Sequence, residues 1–258
     1  MGGYGRAGRK DALILRHYIQ IHDSPNRNRP VESMQLNTDL DARVVLHTPE
    51  MAWTDAPSPG VRRRMLDRSG GEVAVATSIV EYAPGSDFPE HVHRGGEELL
   101  VLDGSFSDDT GEHPAGTYLR NPPGSRHAPR SAAGCTLFVK LGQFMPGDDR
   151  SVRIHTMGST WRPGLVPGLS VLPLHEFEGI STALVRWAPN TLFGTHSHPG
   201  GEEILVLSGV FRDEQGEYSA GTWIRSPRYS RHTPSAGAEG ALIYVKVGHL
   251  GAGFVPVS

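Results

Sequence analysis

The sequence predicts an all-β protein made of two successive copies of one barrel or sandwich. Three observations carry this. Its 32 glycines and 20 prolines recur between short apolar runs along the whole chain of 258 residues, the pattern of many strands joined by turns. Few segments have helical periodicity over a helix length. The chain also repeats itself: HVHRGGEELLVLDG (91–104) returns as HSHPGGEEILVLSG (196–209), differing only at positions 92/197, 94/199, 99/204 and 103/208.

The repeat has a constant register. His91, His93, Glu97 and Gly104 map to His196, His198, Glu202 and Gly209 at an offset of 105, and GTYLRNPPGSRH (116–127) maps to GTWIRSPRYSRH (221–232) at the same offset. Upstream, Trp53 and Gly60 match Trp161 and Gly168 at 108; downstream, FVK (138–140) matches YVK (244–246) at 106. Length changes therefore fall in loops, and the spacing of the polar residues is kept. Three parts follow: a polar, unduplicated segment 1–34, read as a candidate for disorder with Met34 as a candidate alternative start; a first domain over 35–148; and a second over 155–258. The joint lies in the breaker-rich MPGDDRSVR (145–153).

In the first half, VAVATSIVEYA (73–83) is β-branched and stops at Pro84-Gly85. FPEHVH leads into a Gly-Gly turn. EELLVL is a strand ended by Asp103-Gly104 and, apolar on both pleat faces after its acids, is expected to be buried on both sides. SFSDDTGEHPAG is a hairpin connection, TYLRN a strand stopped by Pro122-Pro123-Gly124, and TLFVKL a last strand. TALVRWA, EEILVL, TWIRS and ALIYVKV repeat the order in the second half. Short strands at such spacing indicate a sandwich or barrel.

Composition excludes several classes. There are 25 basic and 28 acidic residues, and no basic cluster is interleaved with aromatics, which speaks against nucleic-acid binding. The run Arg62-Arg63-Arg64 reads as a solvated strand edge. The single cysteine, Cys135, sits in an apolar stretch and reads as a small buried side chain. No apolar run approaches the ~20 residues of a membrane span. The patch Ala12 to Leu15 is too short for a signal-peptide core. A cytoplasmic protein with no membrane partner is expected; a homodimer is left open.

The chemistry concentrates in four residues per half. His91 and His93, two apart on a strand, face the same side. Gly95 and Gly96 permit a tight turn that returns Glu97 beside them. His127, after the Pro-Pro-Gly turn, is placed to join from a more distant strand. Three imidazoles and a carboxylate suit Fe, Mn, Ni, Cu or Zn, with positions left for water or a substrate. His196, His198, Glu202 and His232 repeat the set. His17, His22, His47, His113, His155, His175 and His249 show no counterpart in the other half and are assigned no role.

At these residues the chain resembles a known family. Gly85-x5-His91-x-His93-x3-Glu97-x6-Gly104 looks like the first cupin motif, and Gly116-x5-Pro122-x-Gly124-x2-His127 like the second. The phrases HRGGEELLVLDG and AGTYLRNPPGSRH resemble more narrowly the ChrR-type cupins, over both halves from about Met34 to about Leu250. The resemblance implies two tandem cupin jelly-roll (double-stranded β-helix) barrels. Each would hold one divalent transition metal (Fe, Zn, Mn or Ni) on three histidines and a glutamate. It is also similar to cupin dioxygenases acting on acetylacetone or hydroxyacetophenones, which implies a small keto or enol substrate. The alternative it implies is a regulatory metal-binding module, as in ChrR anti-sigma factors. Those carry a His-x3-Cys-x2-Cys type zinc motif that this chain, with Cys135 alone, lacks.

The second half departs from the motifs twice. Asn190 replaces the first glycine, a mild change, since Asn tolerates left-handed backbone. Tyr229 replaces the glycine three residues before His232 and is placed to fill the barrel mouth or reshape the pocket, which leaves the second ligand set whole and questions its catalysis. Glu98 and Glu203 are expected to point away from the metal face, by alternation with Glu97 and Glu202. Arg126, Arg231, Arg120 and Arg225 are candidates to hold an anionic substrate, and for each of these six residues a solvated strand-end charge is the favoured reading. Lys140 and Lys246, inside apolar strands, are not explained that way.

Overall fold

The computed structural model describes residues 34–71 and 74–251; the N-terminal segment, with His17 and His22, and the tail beyond 251 lie outside them. Among the described residues the chain is strand and loop, with two single-turn 3-10 helices, and no helix is long and apolar enough to cross a membrane.

Each half forms one large antiparallel sheet faced by a two-stranded one. The first large sheet runs in the order Met34–Leu36, Val61–Gly70, Ala74–Tyr82, Cys135–Leu141, Glu97–Asp108, Thr117–Asn121, Val152–His155. The second runs Arg162–Pro163, Leu169–Phe177, Ile180–Trp187, Ser235–Val247, Glu202–Asp213, Thr222–Ser226, Val44–His47. The last strand of each comes from the other side of the repeat boundary: Val44–His47 pairs with Thr222–Ser226, and Val152–His155 with Thr117–Asn121. The two barrels thus exchange a strand, and sheet membership does not follow the divisions at 35–148 and 155–258. His47 and His155, which the sequence reading left without counterparts, occupy matching places in these strands. Each ring Nδ1 lies beside a threonine hydroxyl, Thr222 at 3.2 Å and Thr117 at 3.3 Å.

The strands Ala74–Tyr82, Thr117–Asn121 and Cys135–Leu141 form where β-branched and apolar runs predict them. Val61–Gly70 and Leu169–Phe177 were not anticipated. Their sequences are interrupted by charges or a proline because each lies near a sheet border, where one face meets solvent. Arg62 and Arg64 lie there over the ring of Trp53, and Arg186 lies over Trp161. Cys135 is buried and free, and burial pushes its thiol up to about 11.

The strand Glu97–Asp108 does not end at Gly104. Against Cys135–Leu141 its register slips at Leu102, which has no partner between Val101↔Leu137 and Asp103↔Thr136. Gly104 follows at φ 72°, where a Cβ would lie 2.1 Å from the Gly134 carbonyl oxygen. One extra residue reverses which side chains face inward. Before the bulge Glu97, Leu99 and Val101 point into the barrel; after it Phe106 and Asp108 do. Leu207 and Gly209 repeat the device, with Glu202, Ile204 and Val206 before it and Phe211 and Asp213 after.

Period two also explains why both faces of EELLVL are buried. Leu99 and Val101 join the core of the first barrel, and Ile204 and Val206 that of the second. Leu100, Tyr118 and Phe138 pack against Leu205, Trp223 and Tyr244 in a shared core between the barrels. Fully burying such side chains stabilises by about 1.5–3 kcal/mol each, so the two halves hold together mainly through this layer.

The same alternation sends Glu98 and Glu203 into that layer, which overturns their assignment to solvent. Glu98 accepts from Lys246 Nζ and Tyr244 Oη, both at 2.5 Å; Glu203 accepts from Lys140 Nζ at 2.6 Å, Trp223 Nε1 at 2.7 Å and His249 Nε2 at 3.0 Å. Arg120 forks onto Asp148 at 2.8 and 3.1 Å, and His175 shares that carboxylate at 2.9 Å. Arg225 reaches Asp67 at 3.3 Å. A strand-end charge is solvated only if its sheet face is open, and here a second barrel covers that face. Arg126 and Arg231, on the outer strands, are exposed as expected. Burial raises the Glu98 pKa, but Lys246 and Arg120 outweigh it and hold the carboxyl down at about 2. Burial likewise pushes Lys246 down. With two cations and a phenol converging on Glu98, the carboxylate is the more firmly held, and the pair is ionised.

His249 supplies a pH dependence. Burial, reinforced by Lys140 and Lys246, overrides its bond to Glu203 and lowers its pKa to about 4. An unfolded histidine titrates near 6.5. Between these values the unfolded chain binds a proton that the folded chain refuses, so stability falls as pH drops from about 6.5 toward 4. From pH 7 to 5 the loss from this residue is about 1–2 kcal/mol. Gln143 holds the matching place in the first half, bonded to Thr77 and the Ala76 carbonyl. His249→Gln is therefore expected to flatten the dependence by that amount in urea denaturation of chelator-treated protein. An unchanged slope would remove His249 as the cause.

Candidate metal centres

His91–His93 pairs antiparallel with Ser125–His127, placing His91 opposite His127. The three rings converge, with centroids 4.6, 4.8 and 5.1 Å apart. His196–His198 and Ser230–His232 do the same, at 4.7, 4.7 and 5.1 Å. In each cluster one nitrogen per ring falls within 4.8 Å of the other two. The Gly-Gly turn is needed because Gly96 (φ 79°) lies against Phe144, whose ring a Cβ would approach to 2.5 Å, and Gly201 lies likewise against Leu250. Beyond the turn, Glu97 Oε2 is 3.5 Å from His93 Nε2 and 3.6 Å from His127 Nε2; Glu202 repeats these distances to His198 and His232. All eight residues singled out in the sequence are therefore brought together, four in each barrel.

The hydrogen bonds test whether a cation fits. His91 Nδ1 faces the Pro89 carbonyl at 2.9 Å, and His196 Nδ1 the Gly194 carbonyl at 3.0 Å. A carbonyl only accepts, so Nδ1 carries the proton and Nε2 keeps its lone pair. His127 Nδ1 faces Asp108 Oδ2 at 3.3 Å, which leaves its Nε2 bare as well, 2.9 Å from His93 Nε2. Bare nitrogens and a carboxylate crowded together repel one another unless a proton or a cation sits among them. Second partners that fix imidazole tautomers in this way accompany metal-binding histidines. Both His triads could hold a metal ion; the donor set does not choose which.

The first and second sites differ around this common core. Glu97 accepts from Asn121 Nδ2 at 2.9 Å, and Arg153 donates to Asn121 Oδ1 at 2.5 Å, which fixes the amide orientation. Burial raises the Glu97 pKa, but His93, His127 and this hydrogen bond outweigh it, and the net shift is downward. Ser226 stands in place of Asn121, and no hydrogen bond joins it to Glu202 among the described residues. Burial and then Asp213 push Glu202 up to about 8. Burial is opposed at His127 by the Asp108 bond and Glu97, and the net shift is upward; at His232, burial and His196 bring the pKa down to about 4.

Asp108, Asn121 and Arg153 went unnoticed in the sequence. Asp108 and Phe106 do have a signal there, since SFSDDTGE (105–112) and VFRDEQGE (210–217) align them with Asp213 and Phe211 at the offset of 105. Tyr229 does not fill the barrel mouth: its side chain is outward and the residue 76% exposed. It takes the left-handed conformation of Gly124 (φ 62° against 82°), and both donate their N–H to the carbonyl of the second histidine, His198 or His93. The turn is thus kept at the cost of strain. Tyr229→Gly is expected to stabilise the protein by about 1 kcal/mol, read as a raised denaturation midpoint; a lowered one would show that the exposed ring contributes packing.

A search of protein families matches the ChrR cupin-like domain twice, over residues 41–145 and 149–251. The chain belongs to the ChrR cupin-like family. Both copies of this cupin domain cover the ligand segments, and the duplication read from the sequence is a duplicated cupin. No curated protein matches it in sequence. Among solved structures, the fold is similar to that of a candidate dioxygenase from Nostoc punctiforme, at 16% identity and TM-score 0.68 over 80% of this chain and 82% of the other. It is also similar to YlbA from E. coli (16%, 0.63, 84% and 95%) and to a Bacillus subtilis oxalate decarboxylase with Mn(II) centres (14%, 0.57, 88% and 80%). At these identities the likeness establishes the cupin fold of two tandem β barrels.

Proposed function

We propose that each cupin barrel holds one divalent transition metal on three histidines and a glutamate, and that the protein is an oxygenase-type enzyme acting on a small keto or enol compound. One observation carries the reading: in each barrel three imidazoles and a carboxylate converge on one point. His91, His93, Glu97 and His127 would hold the first ion; His196, His198, Glu202 and His232 the second. Such an ion supplies a Lewis acid and a template for paired oxygen atoms, and Fe(II) adds one-electron chemistry. The chain's part is positional. His93, Glu97 and His127 are buried, whereas His91 is half-exposed, so a small molecule would approach from the His91 side. Phe88 meets the His91 ring edge-on at 5.1 Å and would shield it from water there.

A candidate dioxygenase and an oxalate decarboxylase with Mn(II) centres among the structural neighbours support metal-assisted chemistry on a small molecule. The match to the ChrR cupin-like domain favours a second reading, a regulatory metal-binding module. Oxygen uptake separates the two. Protein loaded with Fe(II) is expected to consume O₂ with at least one member of a panel of β-diketones and hydroxyaryl ketones. Metal bound at both sites with no uptake across the panel would remove that substrate class and leave the regulatory reading.

A further inference from the structure

Asp108 and Asp213 are equivalent residues with different partners. In each, one oxygen is held by the following turn: Asp108 Oδ1 accepts from Thr110 N at 2.8 Å, and Asp213 Oδ1 from Gln215 N at 2.8 Å. The other oxygen is free to choose. Asp108 Oδ2 faces His127 Nδ1 at 3.3 Å. Asp213 Oδ2 accepts instead from Arg43 at 2.9 Å, while Tyr218 Oη donates to Oδ1 at 2.7 Å. Among the described residues no hydrogen bond fixes Nδ1 of His232. Tyr218 stands where the first barrel has His113, and Arg43 immediately precedes the exchanged strand Val44–His47. The segment that crosses between barrels thus brings the guanidinium that occupies Asp213. The crossing in the other direction has the opposite effect. Val152–His155 carries Arg153 to Asn121, which is thereby oriented to donate to Glu97; Glu202 has only Ser226 at that place.

We infer that the two clusters are unequal metal sites: Asp108 and Asn121 pre-organise the first, and Arg43 withholds Asp213 from His232 in the second. The inference rests on the metal reading above. Asp108, Asn121 and Arg43 are positioning residues, since they act through His127, Glu97 and His232. A held imidazole or carboxylate loses less freedom on binding a cation, and partners of this kind are worth roughly 10–100-fold in metal affinity.

The test is Zn(II) titration of the chelator-stripped full chain in competition with a chromophoric chelator, together with ligand-field spectra after Co(II) loading. Two affinity classes are expected, about tenfold or more apart. His91→Ala should abolish the tighter class and His196→Ala the weaker. In the His196→Ala background, Asp108→Asn and Asn121→Ser should each weaken binding about 10-fold or more, and Asp108→Asn should alter the Co(II) spectrum. A purely structural role for Asp108 would leave the spectrum of the loaded site unchanged. In the His91→Ala background, Arg43→Met should tighten binding. Should Asp108→Asn fail to fold, Asn121→Ser and Arg43→Met still decide. Equal affinities in the unmodified chain, the tighter class lost with His196→Ala, or an Arg43→Met variant without gain would overturn the inequality. Absence of Zn(II) from both halves would defeat the metal reading itself.

Discussion

Lys246→Met is expected to destabilise the protein by about 3–5 kcal/mol, because it leaves Glu98 buried between the barrels without its ammonium partner. What remains is the Tyr244 hydroxyl and Arg120 Nε at 3.8 Å, and Arg120 is already committed to Asp148. The cost is that of the stranded carboxylate, not the worth of the ion pair. Replacing both partners, Glu98→Met with Lys246→Met, should recover most of the loss, since an apolar pair of similar volume needs no counter-charge. Lys140 and Glu203 should behave alike, as the matching pair 2.6 Å apart. Urea denaturation of the two singles and the double checks this. A single-variant loss below about 1 kcal/mol would mean that water reaches Glu98 and that the layer is looser than its burial indicates.

Removing metal is expected to have the second large effect. An ion that binds the folded chain and not the unfolded one adds about 4 kcal/mol at a free concentration a thousand times its Kd. For a unit of this size that corresponds to roughly 10 °C in Tm. A chelator should therefore lower Tm by about that much for each site it strips, and restored metal should recover it, in scanning calorimetry. The His91→Ala, His196→Ala double variant should melt at the chelated temperature whether or not chelator is present. A wild-type Tm indifferent to chelator would count against occupancy of either site.

Much of the site was legible in the sequence because its residues lie at short, rigid separations. His91, His93 and Glu97 are joined by a strand and a glycine turn, and His127 is set by the strand that follows Pro122-Pro123-Gly124. Such local geometry needs no knowledge of what packs where. The copy at an offset of 105 then distinguishes this spacing from accident. The residues around the site were harder to find because their roles depend on distant chain. Asp108 reaches His127 only because the bulge at Leu102 reverses the inward face of its strand. Arg43 and Arg153 reach the sites only because the strands cross between barrels.

Glu97 and Glu98 show where the boundary lies. The sequence by itself determined two copies of a β domain, the eight convergent residues and the opposite facing of these neighbouring acids, because all follow from repeat and from period two. Only the tertiary structure decided what the second acid faces. A strand has two sides whatever surrounds it, but whether the far side meets water or another barrel depends on how the halves pack. That packing placed Glu98 against Lys246, Glu203 against Lys140, and the crossing segments beside unequal sites.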